Sequence, residues 1–380
     1  MWTFVSPRVI VFGEDALEAL RNEKAERVLI VADESMVKLG YVNKVKEVLT
    51  ANKVEIFSEV EPEPSMETAF KCTKLARELQ PSLIVAVGGG SVLDVAKAVR
   101  ILMELDVDPL VINPFTDLYE LGFKKKAKLI AIPTTSGTGA DVTWASVLTD
   151  KAENRKLTPS NKEVVPDVSI LDYRLVEAMP KRLIAGSGMD ALTHAIEGML
   201  APWKNEFSDA MCEKAIELIL NNLERSYNGD LEARAKMHLS ATMAGLGFGN
   251  SQVGLVHSFG HTFGAVFKIH HGVSVGLFLP YVLTYYLKSD ARARLDEIAI
   301  KNKLSSAEGL IDRILGLMRN IEIPTKLSEI VSEHEFKANL ETLVLNTLND
   351  SSLGTSPRIP DYNETQKIYE YAFEGKRIDF

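Results

Sequence analysis

The segment LIVAVGGGSVLDVAKA, from Leu83 to Ala98, determines the fold expected for the first half of the chain. Its opening apolar residues predict a buried strand, and the glycine turn Gly88 to Ser91 follows where the strand gives way to a helix. Glycines in such a turn let the backbone approach a pyrophosphate, whose charge is attracted by the free N–H groups of the helix start. The turn matches neither GxGxxG nor the Walker A pattern. Taken alone, it therefore favours an ordinary tight turn over a cofactor site.

Similar strands lie on both sides of this segment. RVLIVAD (Arg27 to Asp33) and LIAIP (Leu129 to Pro133) have the continuous apolar character of buried strands, and Lys53 to Val60 alternates between two faces. Between them, Ser65 is a suitable cap for a helix from Met66 to Leu79. Strands separated by helices predict a largely parallel sheet with helices on both faces, so the first half is expected to be an α/β domain.

A second turn, TTSGTG from Thr134 to Gly139, follows the last of these strands. Its alternating hydroxyls and glycines can donate to a ribose, a phosphate or the nicotinamide amide. Both turns lie at carboxyl ends of predicted parallel strands, where open α/β sheets bind ligands. Two such turns on one sheet edge make a dinucleotide site the better interpretation. Asp94 and Lys97 share a helix face nearby, and the simplest interpretation of that pair is a surface ion pair.

The character of the sequence changes near Pro180. Runs of β-branched residues become scarce, and helical periodicity dominates in Asp209 to Leu223, Arg292 to Leu304 and Ala307 to Met318. We place the boundary between about Asp172 and Lys181. The expected organisation is an α/β dinucleotide-binding domain over residues 1–178 and an all-α domain that binds metal and substrate over residues 179–380.

Bulk composition restricts the function classes. A chain of 380 residues with 46% hydrophobic and 25% charged residues suits two globular domains. The net charge of −9 argues against a nucleic-acid or anionic-membrane surface. Neither of the two cysteines has a CxxC partner, and no apolar run approaches the length of a membrane span. The N-terminus, MWTFVSPRVIVFGED, lacks the features of a signal peptide, which predicts a cytoplasmic protein.

Histidines cluster in the second half in a pattern that suits a metal. Asp190 and His194 are four residues apart, as are His257 and His261, and His270-His271 follows after a turn. Four residues of this set could meet around one divalent cation. The alternative is that the histidines are hydrogen-bonded core or surface groups, which is the commoner fate of a single pair. The zincin motif is excluded because it requires Glu at the position of Ser258.

Four ordered motifs resemble a known family, the iron-containing (group III) alcohol dehydrogenases, whose fold is shared with glycerol dehydrogenase and dehydroquinate synthase. The similarity extends from Phe12-Gly13 to Ser356-Pro357-Arg358. Its most specific parts are GGGSVLDVAK (Gly88 to Lys97), PTTSGTGADVT (Pro133 to Thr143), GMDALTHAIE (Gly188 to Glu197) and VHSFGHTFGAVFKIHHG (Val256 to Gly272).

Carried over position by position, the resemblance implies roles for particular residues. His261 corresponds to a histidine beside the nicotinamide, a candidate catalytic residue. The implied metal ligands are Asp190, His194, His257 and His271. The implied cofactor-binding residues are Asp33, Gly88, Gly89, Gly90, Ser91, Asp94, Thr134, Thr135 and Thr138. This chain departs from the family pattern at Ser136, Ala140-Asp141 and Ser356, which leaves loop details and substrate preference open.

The resemblance implies a metal-dependent, NAD(P)-linked alcohol dehydrogenase or aldehyde reductase acting on a small alcohol or aldehyde. Fe²⁺ is the expected metal, with Zn²⁺ as the alternative. NAD is expected in preference to NADP, because the Asp33 carboxylate would bind ribose hydroxyls and repel a 2′-phosphate. A homodimer is expected, because the resemblance suggests pairing across a two-fold axis and the apolar alternation of Thr3 to Phe12 has no obvious sheet partner of its own.

Other functions remain as alternatives. One is polyol oxidation of the glycerol dehydrogenase type. Another is a lyase of the dehydroquinate synthase type, which would need several basic residues near the metal. Between Met189 and Gly272 the basic residues fall mainly in Lys204 to Arg225 and Arg234 to Lys236, outside the ligand motifs. The last is a nucleotide-binding relative without activity, against which the complete ligand set argues.

Overall fold

The computed structural model describes residues 3–151 and 155–380. The chain divides into two units, Met1–Ala178 and Met179–Phe380. The first unit is α/β and the second is built from helices, which confirms the predicted fold class.

Unit 1 contains a sheet of six strands, all paired in parallel, in the order β1-β8-β5-β4-β2-β3. Two further strands, β6 and β7, form a small antiparallel hairpin. In chain order, β1 to β8 are Val9–Gly13, Lys24–Ala32, Thr50–Phe57, Leu83–Gly88, Lys128–Pro133, Leu148–Asp150, Arg155–Leu157 and Val168–Asp172. The helices α1 to α4 are Glu34–Lys38, Tyr41–Val48, Met66–Leu79 and Gly90–Leu102.

Both faces of this sheet are buried, which explains the continuous apolar runs of its strands. Leu29 and Val31 of β2 lie in one core with residues of α3 and α4. Val28 and Ile30 point to the other face and pack with residues of α2. The two clusters together enclose the sheet between helices.

The strand order contains a switch point between β2 and β4. From β2 the chain moves outward to the edge strand β3, and it then returns to place β4 on the other side of β2. The connections after β2 and β4 therefore leave in opposite directions. This arrangement opens a crevice at the carboxyl edge of a parallel sheet, where such folds bind ligands.

Most predicted elements of unit 1 are present. Helix α3 runs from Met66 to Leu79 as predicted, and the Ser65 side chain accepts from the backbone N–H of Thr68. Strand β3 is Thr50–Phe57 and not the predicted Lys53 to Val60. Its ladder with β2 runs from the pair Lys24 and Thr50 to the pair Val31 and Phe57.

The N-terminal segment was interpreted as having no sheet partner of its own, and this was wrong. Residues Val9–Gly13 do have a sheet partner in their own chain, because they pair in parallel with Val168–Asp172. The partner lies too far along the sequence for local patterns to reveal it. The segment therefore provides no argument for pairing between two copies of the chain.

Unit 2 is helical and packs around one large apolar core. Its helix α5 is buried along nearly its whole length from Ile184 onward. The helices α5 to α13 are Lys181–Leu200, Glu206–Tyr227, Leu231–Phe248, Leu255–Phe267, His271–Tyr286, Ala291–Lys301, Ala307–Asn320, Glu333–Asn349 and Tyr362–Glu374. Across the described ranges, no helix is both long and apolar enough to span a membrane.

Candidate functional site

The two turns singled out in the sequence lie side by side at the carboxyl edge of the unit 1 sheet. Gly88 ends β4 opposite Pro133 of β5, and the backbone N–H of Thr134 donates to the Gly88 carbonyl at 3.0 Å. A methyl group added at Gly90 would lie 2.9 Å from Cγ2 of Thr138. Glycine at this position therefore permits the threonine loop to contact the start of α4.

The surface formed by these turns is partly open to solvent. Gly88 and Thr134 are buried beneath it. The residues that remain partly accessible are Gly89, Gly90, Ser91, Thr135 and Thr138. Gly89, at the cap position of the 13-residue helix α4, has no side chain to bond the first N–H groups. These N–H groups, at the positive end of the helix dipole, therefore remain for a ligand at this sheet edge. Such a turn is suited to a pyrophosphate.

Asp33 follows β2 directly on the other side of the switch point, since Ala32 pairs with Val87 in the register. Its Oδ1 accepts hydrogen bonds from the backbone N–H groups of Ser35 at 2.7 Å and Met36 at 3.1 Å. The carboxylate thus caps α1. Asp33 is only partly buried, so its carboxylate can contact a ligand at the crevice while it caps the helix.

Asp94 and Lys97 do not form a surface pair, and that interpretation was wrong. Lys97 is fully buried and its Nζ donates to the Ala145 carbonyl at 2.8 Å. Oδ2 of Asp94 accepts from the Val147 N–H at 3.1 Å, and burial raises the pKa of Asp94 to about 6. The pair holds α4 against the loop that follows the threonine turn, because buried polar groups require partners.

The metal-binding candidates converge inside unit 2. Asp190 lies in the buried helix α5, His257 in α8, and His271 begins α9. Within the described part of the chain, one ligand atom from each of these three lies within 4.8 Å of the others. His194 is not part of that set, although its Nδ1 lies 3.7 Å from Oδ1 of Asp190. Its ring is stacked on Phe248, with centroids 4.0 Å apart.

Three atoms in this cluster are buried without a hydrogen-bond partner among the described residues. They are Oδ1 of Asp190, Nδ1 of His194 and Nε2 of His257. A buried polar atom without a partner is costly. Nδ1 of His194 and Nε2 of His257 lie 3.7 and 3.9 Å from Oδ1 of Asp190, which suggests that one cation satisfies all three. One carboxylate with imidazole donors fits Fe²⁺ or Zn²⁺.

The protonation states agree with this interpretation. Burial lowers the pKa of His194 to about 3 and holds the pKa of His257 well below its usual value. Burial alone would raise the pKa of Asp190, but the nearby His194 and His271 rings outweigh it and lower the pKa. Neutral imidazoles and an ionised carboxylate are the forms that bind a metal.

Close helix contacts bring these side chains together. A Cβ at Gly272 would lie 2.2 Å from the backbone oxygen of Gly186, so α9 can begin beside α5 only with glycine at this position. A Cβ at Gly260 would similarly lie 2.9 Å from Cα of Val275, where α8 crosses α9. These contacts place His271 next to Asp190, with Nε2 and Oδ1 3.3 Å apart.

Glu197 supports the cluster and was not identified from the sequence. Its Oε2 lies 2.6 Å from Nδ1 of His257, and its Oε1 accepts from the Val256 N–H at 2.7 Å. Burial raises the pKa of Glu197 to about 7. The contact at Nδ1 leaves Nε2 of His257 for the metal, as carboxylates commonly do for histidine ligands. Helical spacing was the available signal, because Glu197 shares a face of α5 with Asp190 and His194.

Replacement of Glu197 by glutamine is expected to weaken metal binding by about 10- to 100-fold while the fold is retained. Glutamine keeps one oxygen and replaces the other by an NH₂ group. That NH₂ group must face either Nδ1 of His257 or the Val256 N–H, where Glu197 has an oxygen. Metal affinity of the metal-free protein, titrated with Zn²⁺ or Co²⁺, measures the effect. Unchanged affinity would contradict the supporting role of Glu197.

The remaining histidines lie outside the three-residue set. His261 is one turn beyond His257 on α8, and its side chain is 41% exposed. His270 directly precedes α9 and lies against α5, with Nδ1 3.0 Å from the position of a Cβ at Gly186. His238 is buried in α7 and His334 is exposed in α12.

The chain thus combines a parallel sheet with a glycine-lined crevice and a cluster of Asp and His side chains that could hold a metal ion. Residues 7–173 match the iron-containing alcohol dehydrogenase family, and residues 184–373 match the family's C-terminal domain. The chain belongs to the iron-containing alcohol dehydrogenase family, as the resemblance implied.

Individual relatives agree with this assignment. The chain is 38% identical over its whole length and the whole of the relative to an NADPH-dependent butanol dehydrogenase of Clostridium saccharobutylicum. It is 33% identical to aldehyde-alcohol dehydrogenase 2 of Entamoeba histolytica, where the match covers 98% of this chain and 46% of the relative. The structure of an iron-containing alcohol dehydrogenase from Thermococcus thioreducens superimposes with a TM-score of 0.90 at 35% identity, over 99% of this chain and 100% of the other.

Proposed function

We propose that the chain oxidises a small alcohol, and reduces the matching aldehyde, with a nicotinamide cofactor and one divalent metal held by Asp190, His194, His257 and His271. The observation that carries the proposal is a set of three buried ligand atoms, on Asp190, His194 and His257, that have no hydrogen-bond partner among the described residues. Most buried polar atoms in folded proteins are hydrogen-bonded, so three unpartnered atoms within one Asp-His cluster favour a bound cation.

The crevice at the switch point is the proposed cofactor site. Backbone N–H groups from Gly89 to Ser91 at the start of α4 would hold the pyrophosphate. Thr135 and Thr138 offer hydroxyls beside it, and Asp33 would meet the adenosine ribose across the gap between β2 and β4. Asp94 supports the turn through its contacts with Val147 and Lys97.

The chain's own residues position the reactants and move a proton. A metal held by the cluster would supply Lewis-acid polarisation of the substrate oxygen, and a nicotinamide held at the crevice would supply the hydride chemistry. The ionised Asp190 and neutral imidazoles would fix the cation without competing protons. His261 is accessible beside the cluster, with its ring centroid 5.3 Å from that of His271, and would exchange the alcohol proton with solvent.

Anaerobic metal analysis combined with an activity screen tests this function. Primary alcohols, diols, glycerol and aldehydes would be offered with NAD and NADP, to protein loaded with Fe²⁺ or Zn²⁺. We expect one metal per chain, activity with at least one small alcohol, and loss of activity on chelation. Fe²⁺ is proposed as the resident metal from the family, although Zn²⁺ often binds such ligands more tightly. Activity that persists without metal would contradict the proposal.

The other candidate functions, lyase chemistry and polyol oxidation, have less support than oxidation of a small alcohol. The family match favours alcohol oxidation over lyase chemistry. Within the described residues, His257 is paired with Glu197 and the neighbouring His261 with Asp350. Both partners are carboxylates, whereas a phosphorylated substrate requires Lys or Arg. Polyol oxidation remains a matter of substrate choice, which the activity screen resolves.

NAD is proposed in preference to NADP, and Asp33→Gly tests it. The carboxylate at the crevice would accept from ribose hydroxyls and repel a 2′-phosphate of charge about −1.5 to −2. Its removal should raise kcat/KM with NADP relative to NAD. Because Asp33 also caps α1, Asp33→Asn keeps the cap without the charge and serves as a control for folding. One relative is an NADPH-dependent butanol dehydrogenase, so the preference of the wild type must itself be measured. Wild-type preference for NADP, or an unchanged ratio in both variants, would contradict this prediction.

A homodimer in the cytoplasm is also proposed. Because the N-terminal strand pairs within its own chain, the dimer is proposed from the family resemblance alone. Light scattering at micromolar concentration should give twice the 42.0 kDa of one chain; a monomer would contradict it. The buried, free thiols of Cys72 and Cys212 agree with a reducing compartment.

A further inference from the structure

We propose that Asp350 is a positioning residue that determines which ring nitrogen of His261 carries the proton. The inference rests on the proposed function, in which His261 exchanges a proton. Asp350 lies far from His261 in sequence, directly after α12, and no motif pointed to it. The structure places Oδ2 of its carboxylate 3.0 Å from Nδ1 of His261.

The other oxygen of Asp350 fixes the orientation of the carboxylate. Oδ1 accepts from the backbone N–H of Ser352 at 2.8 Å, which caps the short 3-10 helix Ser351–Thr355. The hydroxyl of Ser258, on α8 itself, donates to the same oxygen at 3.3 Å. Because Oδ1 is held from two sides, Oδ2 stays directed at His261 and cannot turn away without loss of the cap.

The direction of the hydrogen bond follows from the charge of Asp350. Burial raises its pKa, but hydrogen bonds from His261 and Ser352 outweigh burial and hold the pKa at about 2. An ionised carboxylate can only accept. Nδ1 of His261 must therefore donate, and in the neutral ring the lone pair is on Nε2.

This tautomer suits proton transfer. A histidine that takes up a proton must present its lone pair to the reacting group, and the hydrogen bond at the other nitrogen selects which one that is. The two histidines of α8 share this device, because Glu197 contacts Nδ1 of His257 as Asp350 contacts Nδ1 of His261. The first carboxylate supports a proposed metal ligand, and the second supports the proposed proton carrier.

Asp350→Asn separates this role from a purely structural one. Asparagine is as good a helix cap as aspartate, and its amide oxygen can replace Oδ1 toward Ser352. Its NH₂ group then faces Nδ1 of His261 and forces the proton onto Nε2. The opposite orientation of the amide is disfavoured, because its NH₂ group would face the Ser352 N–H and both groups are donors. The matched control is Asp361→Asn, since Asp361 caps α13 by accepting from Glu364 N–H at 2.8 Å and contacts no histidine among the described residues.

The first readout is the tautomer itself. In metal-free protein labelled with ¹⁵N-histidine, the His261 signal, assigned with His261→Ala, should show the Nδ1–H form in the wild type. It should change to the Nε2–H form in Asp350→Asn and stay unchanged in Asp361→Asn. An Nε2–H form in the wild type would overturn the proposal. The wild-type result needs no activity, and the only variant it requires is the His261→Ala protein used for assignment.

The second readout is turnover. His261→Ala should lower kcat with metal content near that of the wild type. Asp350→Asn should lower kcat by about 10- to 100-fold with KM little changed, and should have no further effect when His261 is already alanine. An equal loss in both backgrounds, or no loss at all, would overturn the positioning role. Failure of the proposed function would appear differently, as a wild type inactive with every alcohol, while the tautomer result stands.

Discussion

His271→Ala is expected to lose both bound metal and turnover, whereas His270→Ala keeps both. His271 belongs to the set of donors within 4.8 Å of one another, and its Nε2 lies 3.3 Å from Asp190. His270 lies against Gly186 at the start of α9 instead. Removal of a ligand should weaken metal binding by more than the roughly 10- to 100-fold that the loss of a supporting residue costs.

Metal content after dialysis and kcat with a responsive alcohol measure the two variants. The pair is well matched, because the same side chain is truncated at adjacent positions of one helix start. If both variants lose metal equally, the assignment of His271 over His270 is wrong. If neither loses it, the proposed ligand set as a whole fails.

Gly272→Ala is expected to abolish metal binding without removing any ligand. The added Cβ would lie 2.2 Å from the backbone oxygen of Gly186 and 2.6 Å from its carbonyl carbon. Backbone atoms cannot move aside as a side chain can, so α9 must shift away from α5 and carry His271 from Asp190. Overpacking of this kind also costs about 1–3 kcal/mol of folding free energy.

Gly316→Ala is the control for this change. Gly316 lies within α11, and a Cβ there would meet no atom within 4 Å, so alanine should stabilise the helix by about 0.5–1 kcal/mol. Thermal unfolding of the metal-free proteins and Zn²⁺ titration distinguish the two variants. A Gly272→Ala protein that binds metal as tightly as the Gly316→Ala protein would show that α9 can shift without consequence for the cluster.

The sequence predicted the parts of the site that local pattern encodes. Asp190 and His194 are one helical turn apart, and the apolar strand before Gly88 implies a glycine turn at a sheet edge. Continuous apolar runs in β2 and β4 predicted a sheet covered on both faces, which the two cores confirm. In each case the signal lies within a few residues, where helix or strand periodicity applies.

What the sequence did not predict depends on contacts between distant segments. Nothing local distinguishes Asp350 from the other aspartates that cap helices, and its partner His261 lies 89 residues earlier. Lys97 has the spacing of a surface ion pair with Asp94, and only the loop around Ala145 buries it. The strand Val9–Gly13 has a partner at Val168–Asp172 that no periodicity could indicate.

That last pairing has a consequence for how the chain folds during synthesis. The strand made first in unit 1 has a single neighbour in the sheet, and that neighbour is the strand made last. The Leu17 N–H likewise donates to Asp172, 155 residues further on. Ordering so long a loop carries an entropic cost before any contact offsets it, so sheets of high contact order form slowly. The nascent N-terminal strand must therefore wait, unpaired, until almost all of unit 1 has left the ribosome.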